Sequence, residues 1–219
     1  MTFLKSNWIE VIWFDAFWTL IDDGKRPKFN LARIFRKYWL NLRETDLIVK
    51  KYSEDPKKYY QELFDYLFQK EWKGRTYKKN VSEEDKKIIL ENYYQEIESY
   101  SLRPKTNELL EIIKSELQNL FLISNLSSIY ICKVEELLTE HKFLFKIYSC
   151  NVWMQKTIKN TEIFDLSYKK LEESWITVKR NKVLFSWDKE ANDEIAPRNA
   201  WFQAINIDEL RRILLNSKM

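Results

Sequence analysis

Residues Ile9–Leu20 read I-E-V-I-W-F-D-A-F-W-T-L. The run from Ile9 to Phe14 is apolar apart from Glu10 and lies between Asn7 and Asp15, the pattern of a short buried strand. Asp15 therefore falls at the carboxyl end of that strand. Open α/β sheets bind ligands outside those ends, so the position suits a functional carboxylate. Taken alone it suits a turn or a helix N-cap as well, and the choice rests on what the other strands deliver.

From about Pro27 to Tyr100 the pattern becomes helical. Leu31, Ile34, Phe35 and Tyr38, then Tyr60, Leu63, Phe64 and Leu67, recur at spacings of three and four with charged residues around them. Ser82-Glu83-Glu84-Asp85 adds an N-cap followed by an acidic first turn. Residues 24–101 are therefore expected to form a small all-helical module. Tyr59, Tyr60, Tyr93 and Tyr94 fall at helical spacing and are read as core of that module, with a dimer contact as the other reading.

After Arg103-Pro104, strand and helix alternate. A helix through Leu109, Leu110 and Ile113 leads to the apolar run Leu120–Ile123, which ends at Ser124-Asn125. A helix through Val134, Leu137 and Leu138, a strand at Phe145–Tyr148, a helix at Ile163–Leu171, and strands at Lys182–Phe185 and Ala204–Ile207 follow. Strands separated by helices require right-handed parallel crossovers. Residues 1–23 and 102–219 are thus expected to share one doubly wound parallel sheet of α/β class, with the helical module inserted after the first strand. Asp15, Ser124 and Asp188, the polar residues that end the strands, then meet at one edge.

Composition removes several function classes. A hydrophobic fraction of 45% excludes disorder. No apolar run is long enough to span a membrane, and the opening segment MTFLKSNWIEVIWF has no small-residue cleavage site, so a cytoplasmic chain is expected. Lys and Arg number 37 against 33 acidic residues, interspersed, and the net charge of +4 forms no stripe for nucleic acid. Cys132 and Cys150 have no CxxC spacing and are read as ordinary reduced thiols. The single His141 is read as a surface or helix-end residue. A monomer and a homodimer are both compatible with the sequence.

The series Asp15-x-x-x-Thr19-Leu20, Ser124-Asn125 after L-F-L-I, Lys156, and Asp188-x-x-x-x-Asp193 after K-V-L-F-S-W resembles, in order, the four motifs of the haloacid dehalogenase superfamily. The resemblance covers nearly the whole chain, and the insert after the first motif looks like that superfamily's helical cap. It implies Asp15 as a carboxylate nucleophile that forms a covalent intermediate, with Thr19 bracing its loop. Ser124, Asn125 and Lys156 become binders of a phosphorylated small molecule, the Lys also offsetting charge at the nucleophile. It further implies a Mg²⁺ site of hard oxygen ligands from Asp15, the Phe17 carbonyl and Asp188, with Asp193 holding Lys156 or a metal-bound water. Read singly, Ser124-Asn125 suits a helix cap, and Asp188 with Asp193 a turn and an N-cap.

Two departures bear on the chemistry. Phosphatases of the superfamily usually carry a second Asp two residues after the nucleophile as general acid, and here Phe17 stands in that place. Its dehalogenases lack that Asp and read D-A-Y/F-G-T-L, close to D-A-F-W-T-L. They need no metal, however, whereas Asp188-Lys189-Glu190-Ala191-Asn192-Asp193 has the magnesium-dependent shape. A phosphatase-type hydrolase favouring good leaving groups, such as acyl or aryl phosphates, is the preferred expectation. A dehalogenase-type hydrolase and a degenerate binding protein are the alternatives. Lys156 lacks the Pro that usually follows it, which makes Lys159 a second candidate.

The other departure is glycine. At about 7% Gly a chain of 219 residues would hold roughly 15, yet this one holds 2 Gly beside 9 Trp. Trp18, Trp153, Trp187 and Trp201 stand where the resemblance places Gly, and Trp18 and Trp187 are expected to flank the phosphate pocket. One cause accounts for both counts: UGA codons rendered as Trp that the source organism reads as Gly. UGG at those codons would remove it. Trp8, Trp39, Trp72 and Trp175 suit ordinary amphipathic positions.

Overall fold

The computed structural model describes residues 2–22, 71–72, 75–76, 82–117, 119–126, 130–152, 154, 156, 161–188 and 190–216, and the side chains of 71–72, 75–76 and 190–193 are outside the description. Five strands form one all-parallel sheet: β1 (Val11–Phe14), β2 (Leu120–Ser124), β3 (Phe143–Tyr148), β4 (Val183–Trp187) and β5 (Gln203–Asn206), in the order β3-β2-β1-β4-β5. Every residue of β1, β2 and β4 is buried, which is why these strands read as continuous apolar runs and not as alternation. Helices α1 (Glu83–Ser99), α2 (Thr106–Leu117), α3 (Ile131–Leu137), α4 (Glu162–Glu173), α5 (Glu190–Asn199) and α6 (Ile207–Asn216) complete the longer elements. The chain has the doubly wound α/β architecture.

The sheet's core is aromatic. Phe164 of α4 sets its ring edge-on to Phe185 at 5.3 Å and to Phe202 at 5.8 Å, and Trp13 lies 4.9 Å from Phe121. Such pairs add about 0.5–1.5 kcal/mol each beyond area burial. They fix α4 on the sheet and hold the central strands in register, with Trp13 opposite Phe121 on one side and Phe185 on the other.

By contact density the chain divides into one unit of Met1–Asp22, Leu102–Leu126 and Val134–Met219, and a second of Asp23–Ser101 and Ser127–Lys133. The second unit contains α1, capped by the Ser82 hydroxyl, which accepts from Asp85 N. It also contains a two-stranded antiparallel pair, Glu71–Trp72 with Arg75–Thr76, so it is not all-helical as expected. Tyr93 is buried and Tyr94 exposed, while Tyr59 and Tyr60 lie outside the described residues. Tyr100 and Tyr130 both donate to Glu96 Oε1, at 2.9 and 3.2 Å, and burial beside that carboxylate pushes the Tyr130 phenol well above its usual range.

Several boundaries differ from the pattern reading. The last strand ends at Asn206, because its side-chain oxygen accepts from Asp208 N at 2.9 Å and caps α6, with Asp208 and Glu209 in the first turn. Helices α5 and α6 were not anticipated; Pro197 inside α5 masks its periodicity. His141 is buried, not a surface residue. Its Nε2 is 2.9 Å from Asn107 Oδ1 and its Nδ1 3.6 Å from Glu111 Oε1.

Burial lowers the His141 pKa from the ordinary 6.5, outweighing the upward pull of Glu111. The unfolded chain therefore takes up this proton at a higher pH than the folded one, and stability falls as pH drops below about 6.5. The expected outcome is an NMR midpoint below that value for the chain's only imidazole, and a flatter acid-side stability profile in His141→Gln. A midpoint at or above the ordinary value would contradict this account of the site.

Candidate active site

Asp15 follows directly on β1, and its N–H donates to Ser186 O of β4 at 3.1 Å, so the sheet's own hydrogen bonding carries the residue to the carboxyl edge. The sheet order reverses at this point, with β2 and β3 on one side of β1 and β4 and β5 on the other. In open α/β sheets such a switch point is where ligands bind. Asp15 Oδ1 accepts from Ala16 N and from Ser124 Oγ, both at 2.8 Å. Oδ2 accepts from Lys156 Nζ at 2.5 Å. Three residues named from the sequence, separated by up to 141 positions, thus meet on one carboxylate.

Lys156 is among the largest fully buried side chains described, at 1% exposure, and Asp15 is at 8%. An ammonium this far from water requires a counter-charge, which Asp15 provides. The Phe185 ring, with its centroid 5.0 Å from Nζ, adds its negative face. Asn125 holds the Lys156 backbone from both sides: its Oδ1 accepts from Lys156 N at 2.7 Å and its Nδ2 donates to Lys156 O at 2.9 Å. Next to it, Leu126 N donates to the buried Ser149 Oγ at 3.0 Å.

The loop after Asp15 is held through three consecutive carbonyls. Arg103 Nη1 donates to Trp18 O, Arg211 Nη2 to Thr19 O at 3.1 Å, and Thr106 Oγ1 to Leu20 O at 3.1 Å. Arg211 Nη2 also donates to Thr106 Oγ1 at 2.8 Å, and Arg103 Nη2 to Asp208 Oδ1 at 2.8 Å. Burial, and the neighbouring Arg103, push the Arg211 pKa down to about 10, so it stays charged at neutral pH. Sequence reading missed this clamp: Arg103 marked only a boundary, and Arg211 lies on the unanticipated α6. A basic residue recurring on the apolar stripe of an amphipathic segment was the available signal. Thr19 is fully buried, and its hydroxyl has no hydrogen-bond partner among the described residues; its carbonyl is what Arg211 grips.

Asp188 comes one residue after β4, half-buried, and its carbonyl accepts from Asn206 Nδ2 at 3.3 Å. The β1–β4 register sets Phe14 opposite Ser186, so Asp15 and Asp188 leave adjacent strands at the same edge. Phe17 is half-buried and its backbone bridges to Ile21. Asp193 is in the backbone of α5, with its side chain outside the description; Lys159 and Trp153 lie outside it altogether. Trp187, the last residue of β4, is 4% exposed and belongs to the hydrophobic core cluster.

Two acidic residues at one edge supply the hard oxygens that Mg²⁺ prefers. Among the described residues Asp15 Oδ2 accepts one hydrogen bond, which leaves it a further lone pair. Among the described residues no group of three or more His, Cys, Asp or Glu side chains is placed to hold a metal ion, so a cation shared by Asp15 and Asp188 would need the Phe17 carbonyl and water as its further ligands.

The Asp15–Lys156 pair is the most buried ion pair described. Removing one partner of such a pair costs about 3–5 kcal/mol. In urea denaturation, Asp15→Ala alone is expected to lose about that much, and Asp15→Ala with Lys156→Met to lose less than Asp15→Ala alone. Simple additivity of the two substitutions would show that the pair is not coupled.

No family model matches the sequence, and no curated protein does. Solved structures do match the fold across nearly the whole chain. A dehalogenase with an intermediate complex aligns with 91% of this chain and 85% of its own at a TM-score of 0.55 and 16% identity. A HAD family enzyme from Bacteroides thetaiotaomicron aligns over 90% and 93% at 0.54 and 15%. A predicted phosphoglycolate phosphatase from Haemophilus somnus 129pt aligns over 91% and 85% at 0.51 and 17%. The chain has the haloacid dehalogenase-like fold.

Proposed function

We propose that the chain is a phosphatase-type hydrolase that uses Asp15 as its nucleophile on a small phosphorylated molecule. The observation that carries this reading is the convergence of Ser124 Oγ and Lys156 Nζ on the two oxygens of one carboxylate at the sheet's ligand-binding edge. Asp15 attacks phosphorus, the bond to the leaving-group oxygen breaks, and an aspartyl phosphate forms. Water then cleaves that phosphate and returns the free carboxylate.

The donors around Asp15 fit both steps. Ser124 can turn its hydroxyl from Oδ1 to a phosphoryl oxygen, which frees a second lone pair on the carboxylate. The Lys156 ammonium, fixed by Asn125 and desolvated, offsets charge on the transferring group more strongly than it would in water. Mg²⁺ held by Asp15, Asp188 and the Phe17 carbonyl would supply further charge neutralisation. Phe17 donates no proton, so the reading favours substrates whose leaving group needs none, such as acyl and aryl phosphates. The part of a cap for residues 24–101 belongs to the same proposal, as does a cytoplasmic location.

A second reading is a dehalogenase-type hydrolase in which Asp15 displaces halide from carbon. What favours it is the charge balance, since Lys156 neutralises Asp15 without a metal, together with Phe17 at the position of the usual acid.

The two separate in one set of assays. Hydrolysis of acetyl phosphate and p-nitrophenyl phosphate is expected with Mg²⁺ and to fall sharply in EDTA. Asp15→Asn is expected to lower it at least about a thousandfold and Lys156→Met about a hundredfold. Halide release from a 2-haloacid in EDTA would support the dehalogenase instead, and phosphatase activity surviving in Asp15→Asn would remove the nucleophile assignment.

A further inference from the structure

Five non-glycine residues among those described have positive φ, and four of them are tryptophans: Trp8 at 55°, Trp18 at 64°, Trp175 at 61° and Trp201 at 68°, the fifth being Lys105. Positive φ is uncommon outside Gly, Asn and Asp, and for a bulky residue it is an outlier, because Cβ crowds the neighbouring carbonyl. Such clustering on the largest side chain has no steric cause.

Three of the four sites share one hydrogen-bond pattern. Trp8 N donates to Lys5 O at 3.2 Å and Ile9 N to Leu4 O at 2.9 Å. Trp175 N donates to Glu172 O at 3.0 Å and Ile176 N to Leu171 O at 2.9 Å. Trp201 N donates to Arg198 O at 3.0 Å and Phe202 N to Pro197 O at 2.9 Å. Each is a Schellman helix end, the residue after the cap lying in the left-handed region and the next being apolar, and that left-handed place is most often Gly. Ile9 and Phe202 are buried and Ile176 packs on the core, as the motif requires. The three indoles themselves are 73%, 94% and 75% exposed. The backbone thus fits glycine at each place, while the written side chain is left in water.

We propose that residues 8, 18, 175 and 201 are glycine in the protein its source organism makes, the codons being UGA read there as Gly. Positions 8 and 175, read from sequence as ordinary amphipathic sites, thereby join the set. Position 187 is strand backbone whose φ does not require glycine. At position 18 the consequence reaches the candidate site, because glycine removes an indole from the loop between Asp15 and Thr19 and keeps the carbonyl that Arg103 holds. The other three are surface helix ends, so their exposed indoles are no docking surface. None of this rests on the reaction proposed above.

Peptide mass spectrometry of the protein from its source organism tests the identity directly. The expected result is glycine at all four positions; tryptophan at any of them overturns the assignment there, as does a UGG codon. Thermal unfolding of the recombinant chain gives an independent reading. Trp→Gly at 8, 175 or 201 is expected to raise the Tm by about 2–4 °C each, whereas Trp→Ala, which removes the same exposed indole without easing the backbone, is expected to raise it less. Equal shifts for Gly and Ala would place the cost in the indole and contradict the backbone argument.

Discussion

An ammonium at 1% exposure cannot remain charged without a partner held in place beside it. In this chain the partner is Asp15 and the place is the carboxyl end of the central strand. That requirement orders much of the rest. The backbone of Lys156 is gripped by Asn125, one residue beyond β2, and its head lies over the ring of Phe185 from β4. The pair therefore draws on β1, β2 and β4 together, and any slip of register between those strands would separate its members.

The same constraint explains why the loop after Asp15 is so heavily braced. A carboxylate that neutralises a buried cation must keep its position. The carbonyls of residues 18, 19 and 20 are each fixed by a side chain from α2, α6 or the turn before α2. Two guanidinium groups lie close together here because Asp208 and the carbonyls offset their charge; burial and the Arg103 charge lower the Arg211 pKa to about 10, which still leaves it protonated at neutral pH.

The centre of the sheet was legible in the sequence because β1, β2 and β4 are buried on both faces, so V-I-W-F, L-F-L-I-S and V-L-F-S-W stand out against polar surroundings. The meeting of Asp15, Ser124 and Lys156 was legible only through the order of motifs, since composition and periodicity carry no information on contacts 109 or 141 residues apart. Helices α5 and α6 escaped notice, one holding an internal proline and the other beginning on the last apolar residue of a strand pattern. His141 was misread because a single polar residue in a charged stretch looks solvated, although Asn107 and Glu111 on α2 were within reach. The tryptophans show a different limit. Side-chain type suggested amphipathic packing at positions 8 and 175, whereas the backbone dihedrals there belong to glycine, and no pattern of hydrophobicity records a dihedral.

The central claim is that Asp15 carries a covalent intermediate. Its most direct test is to mix the chain, as written and with glycine at positions 8, 18, 175 and 201, with phosphorus-labelled acetyl phosphate and Mg²⁺, quench in acid, and locate the label by peptide mapping. The account predicts acid-stable, alkali-labile label on the peptide containing Asp15 and none in Asp15→Asn. Label on another residue, or hydrolysis with no label at Asp15 in rapid-quench samples, would contradict it.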